Sequence, residues 1–196
     1  MRLKTVPSRQ LYFIALVLPP LLQQQVISFQ QHFLERYGCR AALRSPPHIT
    51  LHMPFRWKEA KENKLVQALQ RFAKQQPSVY VKLQNYGCFP PRVIYVNVVK
   101  TPELERLHRQ LSAFCRTELN LTGSTWRNGP FSPHVTLAFR DLKKAHFSGA
   151  WQAFHHRRFE GDFTAHHLWL LKHNGREWQA WRNMPFAAGQ HLRGEV

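Results

Sequence analysis

The chain has 196 residues, of which 43% are hydrophobic and 13% aromatic, so it can bury a sizeable core within one domain spanning residues 1–196. Its 28 Lys and Arg outnumber 11 Asp and Glu, and the formal charge of +17 favours nucleic acid or phosphorylated nucleotides as partners, although a basic surface can also serve solubility alone. Three cysteines (Cys39, Cys88 and Cys115), with no CxxC pair, exclude a disulfide framework and a zinc-finger spacing.

The first predicted element is a buried strand over residues 9–18. Basic residues precede its apolar run at 11–18, as in a signal peptide, but the run stops at Pro19 and Pro20 and no small-residue cleavage site follows. No stretch of the sequence approaches the length needed to span a bilayer. We therefore expect a cytoplasmic protein that does not associate with membranes.

Apolar residues spaced three or four apart over residues 20–37 predict an amphipathic helix, with Gly38 placed to end it. Between residues 40 and 99, short apolar runs typical of strands alternate with proline-containing turns and one further segment with helical spacing. These patterns predict short strands at 40–44 and through 47–51, a helix at about 58–76, and paired strands at 78–89 and 93–99.

Thr101 and Pro102 are typical of a helix start, and the helical period continues to about Leu119. A loop at 123–133 should deliver the next strand, which ends near Arg140. The remaining predicted elements are a helix at 142–154 and two aromatic-rich strands at 159–173 and 178–186, joined by a turn at Asn174-Gly175. This order predicts an α+β fold with mostly antiparallel sheets.

Nearly the same five-residue motif occurs in both halves of the chain. It reads Pro-His-Ile-Thr-Leu at 47–51 and Pro-His-Val-Thr-Leu at 133–137. In a strand, successive side chains alternate faces, so each motif presents a histidine beside a threonine, anchored by apolar neighbours on the other face. Two such pairs face to face would supply a general base, a general acid and hydroxyl donors for an anionic oxygen. The duplication therefore indicates a site that cleaves phosphodiesters.

These residues, with the first strand, the strand from Arg92 and the closing hairpin, resemble the two-histidine phosphoesterases, which include bacterial RNA 2′,3′-cyclic phosphodiesterases of the 2′-5′ RNA ligase type. The resemblance covers nearly the whole chain. It implies a bilobal, pseudo-twofold fold, with the sheets lining a central cleft, the helices outside, and no metal or organic cofactor. It further implies that His48 is the proton donor, His134 the proton acceptor, and Thr50 and Thr136 the ligands of the phosphate oxygens.

Other residues near the motifs are candidate substrate contacts. The arginines among them could grip phosphate and the aromatic residues could stack on bases, although solvated surface positions and core positions are the more frequent outcomes. They are Arg56, Arg92, Arg140, Tyr12, Trp126 and Phe131. His52 shares a face with His48 if the strand continues, and we expect it at the rim. The adjacent histidine pairs at 155–156 and 166–167 lack the carboxylate or cysteine spacing of a metal site.

The leading hypothesis is a metal-independent phosphodiesterase that acts on RNA ends or small nucleotides carrying 2′,3′-cyclic phosphates or 2′-5′ linkages, with ligation as the reverse reaction. No obligate protein partner is predicted. Two alternatives remain: an RNA-binding module of the same fold with little activity, and, more weakly, a protein whose charge recruits it to an acidic surface such as a ribosome.

Overall fold

The computed structural model describes residues 8–121 and 130–187. Within these ranges the chain forms eight strands, four α-helices and two 3₁₀-helices. In chain order they are β1 (Arg9–Val17), α1 (Pro20–Tyr37), a 3₁₀-helix (Ala42–Arg44), β2 (His48–Lys58), a second 3₁₀-helix (Glu59–Lys61), α2 (Glu62–Ala73), β3 (Val79–Phe89), β4 (Val93–Val98), α3 (Pro102–Thr117), β5 (His134–Ala138), α4 (Lys144–Gln152), β6 (Glu160–Ala165), β7 (His167–His173) and β8 (Trp178–Pro185).

The strands form two four-stranded antiparallel sheets, one in the order β2-β1-β7-β8 and the other in the order β5-β4-β3-β6. Each histidine motif lies on an edge strand, β2 in the first sheet and β5 in the second, and these two strands contact each other. The α+β, bilobal, mostly antiparallel architecture is thus confirmed. The repeat in the sequence corresponds to two like-placed strands that meet at the seam between the sheets.

The helices cross from one lobe to the other. Helix α1 follows β1 of the first sheet but contacts β5 of the second, and α3 follows β4 of the second sheet but contacts β2 of the first. Their buried faces belong to one hydrophobic core, which includes Phe33 from α1 and Leu111 from α3. Each motif strand therefore packs against a helix that follows, in the chain, a strand of the other sheet. None of the described helices is long and apolar enough to cross a bilayer.

Four predicted elements were wrong in type or extent. The segment 40–44 is a turn and a 3₁₀-helix, because the Asp141 carboxylate accepts hydrogen bonds from the backbone N–H groups of Arg40 and Ala41 (2.8 and 2.9 Å) and bends the chain there. The second helix starts only at Glu62, since β2 continues to Lys58. The predicted strand 159–173 is two strands, β6 and β7, which lie in different sheets. The strand of the second motif ends at Ala138, two residues earlier than predicted.

Strand β2 is two residues longer than its partner β1, and the difference is absorbed by two bulges. Thr50 pairs with Ala15, but His52 pairs with Ile14, so the intervening Leu51 has no partner of its own. His52 consequently turns to the core side of the sheet, where it is 3% exposed. The expectation that His52 lies at the cleft rim is wrong, because it assumed an unbroken alternation.

Candidate active site

A cavity of about 400 Å³ opens between the two sheets, along the seam where the motif strands meet. Its lining includes His48 and Thr50 from β2, and His134 and Thr136 from β5. All four side chains are partly exposed, whereas their neighbours Ile49 and Val135 are fully buried. The alternation predicted from the two motifs therefore holds at both, and the four polar side chains share one cleft.

Both histidine rings are anchored in the same way. The Nδ1–H group of His48 donates to the carbonyl oxygen of Pro46 (2.7 Å), and that of His134 donates to the carbonyl oxygen of Ser132 (2.8 Å). Because a carbonyl oxygen can only accept, each bond fixes the proton on Nδ1 in the neutral ring and leaves Nε2 as the nitrogen available to a ligand. In both motifs one proline separates the histidine from the residue whose carbonyl oxygen its ring binds.

Aromatic side chains support the two imidazoles with matching geometry. The ring centroids of Phe13 and His48 are 4.7 Å apart at 45°, and those of Tyr95 and His134 are 4.9 Å apart at 47°. A second aromatic ring packs on each support, at 4.6 Å in both cases: Trp178 on Phe13, and Phe89 on Tyr95. Phe89 also contacts the ring of His134 directly, at 5.2 Å. The pseudo-twofold relation thus extends from the histidines to the rings that hold them.

Burial shifts the protonation of both histidines in the same direction. Desolvation, with a smaller contribution from the charge of His134, lowers the pKa of His48 to about 4, against the opposing effect of its bond to Pro46. Desolvation also lowers the pKa of His134. Burial therefore favours two neutral imidazoles at pH 7, and a negative charge bound between them would raise the pKa of each.

The two threonine hydroxyls are available to a ligand. Neither Thr50 nor Thr136 donates or accepts a side-chain hydrogen bond within the part of the chain that the structure describes. The backbone carbonyl of Thr136, by contrast, accepts a hydrogen bond from Gln30 Nε2 (2.9 Å). The strands are thus held by their backbone while the hydroxyls face the cleft, where each can donate to an anionic oxygen.

The described lining of the cleft is positively charged. Three arginines contribute to it, Arg44, Arg140 and Arg176, and no described carboxylate does. Asp141, which follows Arg140 in the sequence, instead accepts hydrogen bonds from the backbone N–H groups of Arg40 and Ala41. A cleft with excess positive charge and little compensating negative charge favours a phosphate ligand.

Of the five predicted substrate contacts that fall within the described residues, Arg140 alone lines this cavity. Tyr12 is fully buried on the opposite face of β1, where its hydroxyl donates to Glu62, so it cannot contact a ligand in the cleft. Arg56 lies at the far end of β2 in a different cavity, because eight residues of extended strand separate it from His48. The prediction that Tyr12 contacts substrate is therefore wrong, whereas a contact between Arg56 and substrate stays a prediction for a site outside this cleft.

The remaining predicted contacts lie outside the cavity or outside the described residues. Arg92 is exposed in the β3–β4 turn, and its neighbour Val93 lines the cavity in its place. Phe131 stacks face to face on His108 of α3, with centroids 3.8 Å apart, and so packs away from the cleft. Trp126 lies outside the described residues.

Several residues of the cleft have no signal in the two motifs. They are Phe13 on β1, Gln30 on α1, Arg44 in the 3₁₀-helix, and Arg176 and Trp178 at the β7–β8 turn. Alternation along β1 could have identified Phe13, since it must face away from the core if Tyr12 faces into it. The other four come together only through the packing of distant segments, which the sequence does not reveal.

The described residues contain no cluster of three or more His, Cys, Asp or Glu side chains that could hold a metal ion. His155 and His156 follow helix α4 in a turn, with ring centroids 3.5 Å apart. Two adjacent imidazoles without a third donor do not make a usual metal site.

Comparison with known proteins is consistent across sequence and structure. A family model described as the 2′-5′ RNA ligase superfamily matches residues 18–177. A Geobacillus kaustophilus protein named "Putative phosphoesterase" is 30% identical over 166 residues, which cover 81% of this chain and 87% of that protein. Escherichia coli LigT, solved in complex with 3′-AMP, has a TM-score of 0.67 and 22% identity, covering 92% of this chain and all of LigT. The TT0787 protein of Thermus thermophilus has a TM-score of 0.64 and 20% identity over the same 92%.

Proposed function

The chain belongs to the 2′-5′ RNA ligase superfamily, and from this premise we propose that it is a metal-independent phosphodiesterase that opens 2′,3′-cyclic phosphates of ribonucleotides or RNA ends. The relatives named as phosphoesterases support the general class of reaction. The choice of a cyclic or 2′-5′ linked ribonucleotide as substrate is our inference from the chemistry of the cleft.

A single observation carries the proposal: two imidazoles have the same Nδ1–carbonyl bond, the same aromatic support and the same neighbouring threonine, in one cavity. Acid–base cleavage of a phosphodiester needs one group that accepts a proton from the nucleophile and another that donates a proton to the leaving group. His48 and His134 are suited to these roles because each has a free Nε2 in the same cavity.

In the proposed hydrolysis, neutral His134 accepts a proton from a water molecule as the water oxygen bonds to phosphorus. The bond from phosphorus to one ribose oxygen breaks, and protonated His48 donates its proton to that oxygen. Thr50 and Thr136 donate hydrogen bonds to the non-bridging oxygens, where negative charge builds up in the transition state. In the reverse reaction, the same two histidines would catalyse the joining of a cyclic phosphate to a hydroxyl group.

Because the pKa of His48 is low, the proton donor becomes protonated only when the substrate binds. A buried donor whose pKa is about 4 is mostly deprotonated at pH 7. The anionic phosphate would raise that pKa by direct charge interaction once it binds between the histidines, so His48 gains its proton together with the substrate. Arg44, Arg140 and Arg176 would hold the phosphate in place during this step.

The cleft is of a size suited to a nucleotide. Its volume of about 400 Å³ lies in the usual range of small-molecule sites, and LigT, with the same fold, was solved with 3′-AMP. We therefore propose that a nucleoside phosphate occupies the cleft, with its base in contact with the aromatic wall formed by Phe13 and Trp178.

The decisive experiment incubates the protein in EDTA with each of the four nucleoside 2′,3′-cyclic monophosphates and identifies the product isomer by chromatography. Hydrolysis by the wild type that is lost in both His48→Ala and His134→Ala would support the two-histidine mechanism. Turnover that survives either substitution, or that disappears from the wild type on addition of EDTA, would contradict it.

A second candidate function is RNA binding without turnover, favoured by the charge of +17 and the arginines of the cleft. The two functions differ in what the histidines do. If the protein only binds RNA, His48→Ala and His134→Ala should leave the salt-dependent affinity almost unchanged, and no cyclic phosphate should be opened.

A further inference from the structure

A second cavity, of about 250 Å³, lies at the end of β1 and β2 remote from the catalytic histidines. Four of the residues that line it are cationic, Arg9, Arg56, Lys58 and Lys61, and Trp57 also contributes to the lining. The segment 119–121 after α3 completes the lining. We refer to these four cations and Trp57 as the basic cavity.

The charges of the basic cavity are not neutralised by the described part of the protein. In that part, the only ion pairs join Lys172 to Glu59 and Glu62, at 3.5 and 2.8 Å. These are the two acidic residues closest in sequence to Lys61, and both are thus engaged by a lysine outside the cavity. Four cations that share a concave surface without acidic partners repel one another unless an anion binds there.

The cations that the strands contribute to the basic cavity, Arg9, Arg56 and Lys58, lie on the face of the first sheet that also lines the catalytic cleft. Trp57, the register partner of Gln10, lies on the opposite face, where it packs against the hydrophobic core. Arg9 and Lys58 are register partners, as are Leu11 and Arg56, so these four side chains lie on the same face as Phe13, which lines the cleft. Eight residues of strand separate His48 from Arg56, which corresponds to about 26 Å at the usual rise of a strand. A mononucleotide cannot bridge that distance, whereas an oligonucleotide can.

We propose that the basic cavity binds backbone phosphates of a single-stranded RNA whose terminal cyclic phosphate occupies the cleft. Cationic grooves that follow the backbone are a usual means of holding single strands without reading their sequence. The bond from Trp57 Nε1–H to the carbonyl oxygen of Lys61 (2.9 Å) fixes the segment that carries Lys61 next to the cations of β2. The proposal rests on the proposed function for its choice of RNA end, and it makes RNA, rather than free nucleotides, the preferred substrate.

The test compares a short and a long ligand in the full-length protein. Arg56→Ala/Lys58→Ala should leave hydrolysis of a nucleoside 2′,3′-cyclic monophosphate unchanged, but should lower kcat/KM for a decanucleotide ending in a cyclic phosphate about tenfold. A charge-matched control, Arg71→Ala/Lys74→Ala, removes two exposed cations at the other end of α2 and should change neither value.

A binding measurement separates this proposal from the proposed function. Fluorescence anisotropy with a labelled, 3′-phosphorylated decanucleotide, over a series of salt concentrations, requires no turnover. The double variant should reduce the slope of log K against log salt by roughly 1.4, because each phosphate of a single strand that the protein neutralises contributes about 0.7 to that slope. Failure of the wild type to open any cyclic phosphate would overturn the proposed function alone. An unchanged slope, or an equal reduction in the control variant, would overturn the basic cavity as an RNA site.

Discussion

Gln30 on helix α1 donates a hydrogen bond from Nε2 to the backbone carbonyl of Thr136 on β5, at 2.9 Å. The helix follows the first strand of one sheet and the carbonyl lies on the motif strand of the other, so this bond ties the two halves of the site together. Gln30 is 2% exposed, and its Oε1 has no partner among the described residues. A buried amide in this position contributes to the geometry of the second motif more than to hydrophobic stability.

Replacement of Gln30 by Leu should lower kcat while changing KM little. The substitution removes the bond that positions Thr136 and leaves its carbonyl without that donor, at a cost of about 1 kcal/mol. Steady-state kinetics on a cyclic nucleotide and thermal unfolding would measure both effects. Gln31→Leu, at an exposed position on the same helix, is the matched control. Equal kinetics for the two variants would contradict a positioning role for Gln30.

The valine substitutions Thr50→Val and Thr136→Val should each lower kcat/KM by about 10- to 100-fold, since a hydrogen bond to a charged phosphate contributes about 1.5–3 kcal/mol. Thermal stability should not fall, because neither hydroxyl has a partner in the described structure and valine keeps the shape and strand propensity of threonine. Thr164→Val, on an exposed position of β6, should leave both quantities unchanged. A loss of stability without a loss of activity would show that the hydroxyls serve the fold.

The sequence was sufficient to predict those parts of the fold that depend on local signals. Helix α1 ends where Gly38 adopts a left-handed conformation (φ 69°), and α3 begins where the Thr101 hydroxyl accepts from the backbone N–H of Leu104 (3.3 Å). The alternation within each motif correctly placed the histidines and threonines on one face. These features are determined by residues that are close in sequence.

Features that depend on pairing between distant segments could not be predicted. The apolar positions change phase at His166-His167, from Phe163 and Ala165 to Leu168 and Leu170, but the sheet that each strand joins is decided by its partner, β3 for β6 and β1 for β7. The bulges that turn His52 into the core arise from the register between β1 and β2. Arg44 and Arg176 reach the cleft from separate loops. In each case the deciding contact is made by a segment far away in the chain.

The close approach of Gly87 and Tyr95 gives a further test of the aromatic supports. A methyl group on Gly87 would come within 2.7 Å of the Tyr95 hydroxyl oxygen, so the ring that packs on His134 would have to move. We expect Gly87→Ala to lower kcat at least tenfold and to shift the pH dependence of the reaction. Gly149→Ala is the control, because a methyl group there meets no atom within 4 Å. It should stabilise α4 by about 0.5–1 kcal/mol and leave kcat unchanged.

The pH dependence of kcat/KM should be bell-shaped, with its maximum on the acid side of neutrality. In the free protein, burial lowers the pKa of His48 to about 4 and also lowers the pKa of His134 below 6.5. The reactive form has one of the two protonated and the other neutral, and its population is greatest between the two pKa values. Because bound phosphate raises both values, the maximum of kcat should lie at higher pH than that of kcat/KM. Coincident maxima at or above pH 7.5 would contradict the assignment.

A second pair of histidines, His52 and His108, should make the fold sensitive to acid. Burial lowers the pKa of His108 to about 4, with a smaller effect from the charge of His52, and burial lowers the pKa of His52 as well. Since these folded values lie below the ordinary 6.5, the unfolded chain binds more protons between about pH 6.5 and 4. The free energy of unfolding should therefore decrease as the pH falls through that window.

The variant His108→Leu removes one of these titrating groups while keeping an apolar side chain against Phe131, on which His108 stacks at 3.8 Å. Urea unfolding at pH 7.5 and at pH 5 would measure the effect. We expect the loss of unfolding free energy between the two pH values to be smaller in the variant than in the wild type by about 1 kcal/mol. An equal loss in both proteins would mean that His108 is already accommodated as a cation in the folded state, and that the acid sensitivity arises from the cleft histidines instead.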